Sequence, residues 1–142
     1  MNSTELSSSL RSVIGSLHKG LRKQMSSVNT YSMTEMETIG HLFRTPSLLP
    51  TELAALTRIT TQSMSQILTK MEKDNVIKRT PSKDDKRKVC ISLTSVGKKM
   101  VDKAKYEKDE WLKGVIEKTL TDKEIDILIK ALPVLNKLLE AK

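Results

Sequence analysis

The sequence is short of several things a protein can be built from. Cys90 is its one cysteine, so no disulfide can close within a chain. Its two histidines, His18 and His41, stand too far from each other and from Cys90 to form a metal-ligand pattern. Tyr31, Phe43, Tyr106 and Trp111 are the only aromatics, which leaves Leu, Ile, Val and Met to fill the core. Five glycines and four prolines in 142 residues argue for a mostly helical chain. No run approaches the roughly 18 apolar residues of a membrane-spanning helix, and the N-terminal residues carry nothing like a secretion signal. No nucleophile–base pair, carboxylate pair or phosphate loop occurs at a working spacing. These absences predict a cytoplasmic binding protein of one domain, with no enzymatic activity, cofactor, metal or membrane partner.

Positive charge is what the chain has in quantity. The net charge is +8, and it is concentrated. Residues 70–105 hold twelve basic and five acidic side chains, whereas residues 106–142 hold seven and eight. A focused positive field attracts a polyanion, and releasing condensed counterions supplies much of the affinity.

Hydrophobic periodicity predicts six helices and a small β wing. Leu6, Leu10, Val13, Ile14, Leu17 and Leu21 stripe a first helix over residues 5–25, broken by Ser26-Ser27-Val28-Asn29. Ser32 and Glu35 form a capping box for a second helix over 32–43, with Met33, Met36, Ile39, Gly40 and Phe43 inward. Pro50 suits the first position of a short third helix carrying Leu53, Ala54 and Leu56. After a turn at 57–60, a fourth helix spans 61–74. Its Met64, Ile67, Leu68 and Met71 fall at i, i+3, i+4 and i+7. Asn75 follows, where a residue tolerant of positive φ closes a helix. Strands at 76–80 and 87–93 follow, the second alternating Val89, Ile91 and Leu93 with Lys88, Cys90 and Ser92. A fifth helix covers 95–119. A last one, capped by Thr121 and Glu124, carries Ile125, Leu128, Ile129, Leu132, Leu135, Leu138 and Leu139, with Pro133 expected to kink it or shift its start.

A short helix, a turn, an amphipathic helix and a basic hairpin make a winged helix-turn-helix, which points to double-stranded DNA. Outward-facing Gln62, Ser63 and Gln66 are the candidate base readers, since glutamine can pair bidentately with adenine. Thr60 and Thr61 begin the fourth helix, whose N–H groups can receive a phosphate. Lys70, Lys83, Lys86 and Lys88 are candidate phosphate contacts. Arg87, at the hairpin tip, suits a narrow minor groove. Asp85 makes no sense as a DNA contact and is assigned to holding Arg87 or the turn. The first, fifth and last helices have more apolar surface than one lobe needs. They predict a homodimer, joined through residues 5–25 and 95–140, whose two lobes (32–94) would read an inverted repeat.

Three stretches carry a specific resemblance. They are Glu52-Leu53-Ala54, then residues 71–79 (Met-Glu-Lys-Asp-Asn-Val-Ile-Lys-Arg), then Asp85-Lys86-Arg87 with Leu93-Thr94-Ser95-Val96-Gly97. In them the chain resembles the MarR family of bacterial transcription regulators over nearly its whole length. The resemblance implies wing roles for Asp85 and Arg87, and that Leu93-Thr94 ends the wing and opens the next helix. It also implies a homodimeric repressor, in many members released from DNA by a small aromatic acid or toxic compound bound between lobe and dimer helices. His18, Tyr31, His41 and Trp111 are the candidate effector contacts. Asn75 replaces a usual glycine, and Leu49 stands where a Ser or Thr often caps the third helix. The competing expectation is a non-enzymatic adaptor that uses the winged fold for protein contacts.

Overall fold

Caps set the helix boundaries. The computed structural model describes residues 1–24 and 31–141. Among them run α1 (Ser3–Lys23), α2 (Met33–Arg44), α3 (Pro50–Thr57), α4 (Thr61–Lys73), β1 (Ile77–Pro81), β2 (Val89–Leu93), α5 (Ser95–Thr119) and α6 (Asp122–Glu140). The expected end of the first helix at Met25 and the break after it lie outside the described residues. Ser32 Oγ accepts the Glu35 N–H, while Glu35 Oε1 accepts the Ser32 N–H. Thr121 and Glu124 repeat this box at α6. At α3, Leu49 offers no side-chain cap, but Glu52 Oε1 accepts its N–H at 2.9 Å, so half of the box survives.

The chain divides into a lobe, Arg22–Glu107, and a helical unit, Met1–Leu21 with Lys108–Lys142. In the lobe, Met64, Leu68 and Met71 of α4 are fully buried against Ile39 and Leu42 of α2, Leu53 of α3, and Ile77 and Ile91 of the wing. Ile67 packs at the edge. Each such side chain contributes about 1.5–3 kcal/mol by leaving water. Phe43 closes another edge, with Lys105 Nζ 4.5 Å from its ring centroid.

Two helices turn differently from the expected face. In α2, Glu35, Thr38, Ile39 and Leu42 go inward, and Met33 is exposed. Thr38 tolerates full burial because its hydroxyl donates to the Thr34 carbonyl. In α3, Thr57 is buried with its hydroxyl on the Leu53 carbonyl, and Leu56 faces outward. The turn therefore begins one residue later than expected, at Arg58.

The wing is a two-stranded antiparallel sheet in the register Ile77↔Leu93, Arg79↔Ile91, Pro81↔Val89. Leu48 adds a bridge to Ile91, exchanging both backbone hydrogen bonds. The second strand starts at Val89 rather than Arg87, because the Asp85–Lys88 turn occupies the tip. Asn75 takes φ 62°, the positive φ its place after α4 requires.

Where α4, the wing and α5 meet, Val76 is the shared point. Its carbonyl accepts the Thr94 N–H at 3.0 Å and the Thr94 hydroxyl at 3.1 Å, and that hydroxyl also reaches the Asn75 carbonyl at 2.6 Å. Thr94 Oγ1 in turn accepts the Gly97 N–H, capping α5.

In the helical unit, the Trp111 ring lies against Gly20. The last helix runs through Pro133 without a shifted start. No described residue of α1 or α6 is buried.

A Cβ built at Gly97 would run into the Val76 carbonyl oxygen. Gly97→Ala is therefore expected to destabilise the fold by roughly 1–3 kcal/mol. Urea unfolding followed by circular dichroism measures this, and an unchanged midpoint would refute the close approach.

Candidate nucleic-acid interface

The outer side of α4 is uniformly polar and open. Thr60, Thr61, Gln62, Ser63, Gln66, Thr69, Lys70 and Lys73 are all exposed, because Met64, Leu68 and Met71 claim the opposite side. Thr60 caps the helix. Its Oγ1 accepts the Ser63 N–H at 3.0 Å and lies 2.9 Å from Ser63 Oγ. Ser63 is thus part of the cap as well as of the outer face. First-turn N–H groups have no helical acceptor, so the Thr61 and Gln62 amides present partial positive charge at the end of α4.

Lys70 is engaged within the lobe. Its ammonium lies 2.9 Å from Glu35 Oε2 and 3.2 Å from Oε1, and 5.0 Å from the Tyr31 ring centroid. Arg79 is likewise held, its Nε donating to Glu72 Oε1 at 3.2 Å.

At the wing tip, Asp85 is hydrogen-bonded to Arg87. Its Oδ1 accepts the Arg87 N–H at 3.0 Å and Nε at 3.2 Å, while Oδ2 accepts Nη2 at 3.3 Å. The Ser82 N–H donates to the Lys88 carbonyl, and the Lys88 N–H to the Asp85 carbonyl. Arg87 is thereby oriented while its side chain stays 91% exposed. Lys83, Lys86 and Lys88 are exposed around it.

One exposed cation between α3 and α4 escaped the sequence reasoning. Arg58, between α3 and α4, takes φ 58° and ψ 42°. Its N–H closes α3 on the Ala54 and Ala55 carbonyls. A non-glycine residue in this conformation is strained by about 1–2 kcal/mol, and such strain often marks a functional position. No glycine or asparagine signals the turn, so nothing local announces it.

The four candidate effector contacts divide between the two units. His18 is exposed and Trp111 half-buried in the helical unit. Tyr31 and His41 belong to the lobe. The Tyr31 hydroxyl donates to Asp74 Oδ2 at 2.7 Å. His41 Nε2 lies 3.6 Å from Glu37 Oε1, too far for a hydrogen bond, and is buried without one. Separately, the lobe holds a cavity of about 450 Å³ lined by Leu42, Phe43, Pro46, Leu93, Lys78 and Lys98 among others. Among the described residues, no group of His, Cys, Asp and Glu could hold a metal, and no helix is long and apolar enough to cross a membrane.

The side-chain and backbone hydrogen bonds from Arg87 hold the Asp85 carboxyl below its ordinary value. A lowered carboxyl pKa means the clasp is intact above the usual carboxylate range and is lost as pH falls below it. In an NMR titration, Asp85 is expected to protonate at lower pH than an ordinary aspartate, and Arg87→Ala should move it part of the way back, since the backbone N–H bond remains. Identical titration in both proteins would remove the clasp.

The comparisons with known proteins agree with this geometry. The family model described as MarR family matches residues 31–88. No curated protein matches the sequence. Among solved structures, a putative transcriptional regulator from Pseudomonas aeruginosa is 23% identical, with a TM-score of 0.82 over 98% of this chain and 96% of that one. A MarR family protein from Bacillus stearothermophilus is 19% identical, with a TM-score of 0.77 over 99% of each. A mutant of S. aureus MepR bound to an oligodeoxyribonucleotide is 20% identical, with a TM-score of 0.71 over 94% of this chain and 97% of that one. At these identities the solved structures speak for the fold, and the match over residues 31–88 speaks for the family. Residues 31–88, within the winged-helix lobe, match the MarR family of regulators, and the whole chain shares the fold of solved MarR-family structures.

Proposed function

We propose that this regulator is a homodimeric repressor that reads an inverted-repeat operator from the cytoplasm. It is a binding protein and not an enzyme. The observation that carries the reading is the pairing, in one lobe, of a polar capped helix with an arginine held outward at a wing tip. Gln62, Ser63 and Gln66 would meet base edges in the major groove. The α4 N-terminus, through Thr60 and Thr61, would hold a phosphate. Arg87 would enter the flanking minor groove, with Lys83, Lys86 and Lys88 adding backbone attraction.

The dimer follows from surface that one copy leaves in water. Leu6, Val13, Ile14 and Leu17 of α1 are 45–56% exposed, and Ile127, Leu128, Ile129, Leu132, Val134, Leu138 and Leu139 of α6 are 46–71% exposed. A helix this apolar around so much of its circumference belongs in an interior. A second copy would cover it and set two reading helices about one DNA turn, ~34 Å, apart. Release by a small aromatic effector completes the reading. His18, Tyr31, His41 and Trp111 remain candidate contacts, and the largely polar lobe cavity, which places Lys78 and Lys98 beside Leu42 and Phe43, is a further place for an aromatic acid.

Selection of duplexes from a random pool, followed by binding titrations at several salt concentrations, tests the reading. A steep loss of affinity with salt and an inverted repeat in the selected DNA are expected. A flat salt dependence would favour the protein-binding adaptor instead. Arg87→Ala should weaken the selected duplex by about 1–3 kcal/mol with the dimer intact by sedimentation. Equal affinity would strip Arg87 of its role. Gln66→Ala should relax preference at one base pair of each half-site, and uniform weakening on all sequences would make it a backbone contact.

A further inference from the structure

We propose that two side-chain bridges, Tyr31–Asp74 and Glu35–Lys70, position the reading helix, and that Lys70 acts in sequence discrimination through Glu35 rather than by touching a phosphate. The proposal rests on the reading that α4 enters the groove.

The bridges form a ladder. Tyr31 stands just before the Ser32 cap and Glu35 lies in the first turn of α2, while Lys70 lies in the last turn of α4 and Asp74 is its C-cap. Tyr31 meets Asp74 and Glu35 meets Lys70, so the rungs run in opposite chain order and lie about one turn apart. A slide or rotation of α4 would break both together. The α2 side is firmly held. Tyr31 is 4% exposed and Glu35 8%, and Glu35 Oε1 also accepts the Ser32 N–H of the helix cap. The Lys70 ammonium sits between that carboxylate and the Tyr31 ring.

Protonation states agree with the ladder. Burial alone would raise Glu35, but the Ser32 N–H and Lys70 outweigh it and keep the carboxyl below its usual value. Burial, with Asp74 beside it, pushes the Tyr31 phenol well above its usual value, so it stays a donor.

The consequence reaches the bases through one stripe. Gln62, Gln66 and Lys70 follow one another at every fourth residue of α4. Any rotation that released Lys70 would carry both glutamines round with it. An ammonium fixed on a buried carboxylate at one end therefore sets where two amides stand at the other. A phosphate-binding lysine has no need of such a partner.

The test compares a duplex selected by the wild-type chain with a scrambled duplex of equal length. Lys70→Met keeps the stem on the exposed side, and Glu35→Gln keeps an acceptor for the Ser32 cap. Each is expected to narrow the ratio of selected to scrambled affinity by about tenfold. The slope of log affinity against log salt should not change, since no phosphate contact is lost. The double variant should be no worse than either single one, and Lys70→Arg should restore discrimination. Thermal midpoints and dimer mass accompany each measurement, so that loss of folded protein is separated from loss of discrimination. If Lys70→Met weakens both duplexes alike and lowers the salt slope by about one, Lys70 is a phosphate contact and the proposal is overturned. Unchanged discrimination in Lys70→Met and Glu35→Gln, while wild type still discriminates, overturns it too. If the wild-type chain selects no duplex at all, the reading of α4 as a DNA-reading helix fails first, and the ladder's role with it.

Discussion

The Val76 carbonyl is the constraint on which the lobe depends. It lies one residue beyond the positive-φ Asn75 that ends the α4 turn, and it accepts both the backbone and the hydroxyl of Thr94. Gly97 has no side chain because that carbonyl fills the space. One buried acceptor therefore joins the end of α4, the base of the wing and the first turn of α5. Three elements separated in sequence acquire fixed relative positions through Thr94 and Gly97. Leu93-Thr94-Ser95-Val96-Gly97 is a signature in the sequence for this physical reason.

Around that point the lobe divides its work. Aliphatic and Met side chains make the interior, and polar groups make the joints. Thr38, Thr57 and Thr94 each turn a hydroxyl onto a nearby carbonyl, so a hydroxyl can be buried or half-buried without an orphaned donor. Three acidic groups on this basic lobe each hold a cation. Asp85 aims Arg87, Glu72 holds Arg79, and Glu35 holds Lys70. The cations with no carboxylate role assigned by the clasp, Lys83, Lys86 and Lys88, remain outward at the tip.

Local chemistry made much of this legible. The α4 stripe of Met64, Leu68 and Met71, the caps at Ser32 and Thr121, the pairing of Ile91 and Leu93 and the left-handed Asn75 all follow from spacing within a few residues. So does the Asp85–Arg87 clasp, whose partners are two positions apart. What was not legible needed contacts across the chain or conformations without a marker. Lys70 looks like any solvated lysine until Glu35, 35 residues away, is brought beside it. The Tyr31 bond to Asp74 spans 43 residues, so no local pattern announces it. Arg58 adopts a glycine's conformation with no glycine to announce it. Met33 and Thr38 exchanged places because the pattern of apolar residues in α2 is two stripes wide, and packing chose between them.

The central claim is that the outer face of α4 and the Arg87 wing tip engage one duplex at the same time. An NMR titration of the chain with a selected duplex tests this most directly. The account predicts amide shifts concentrated at residues 60–66 and 82–88, moving together and saturating at one duplex per dimer. Shifts confined to one of these segments, or centred on α1 and α6, would contradict it.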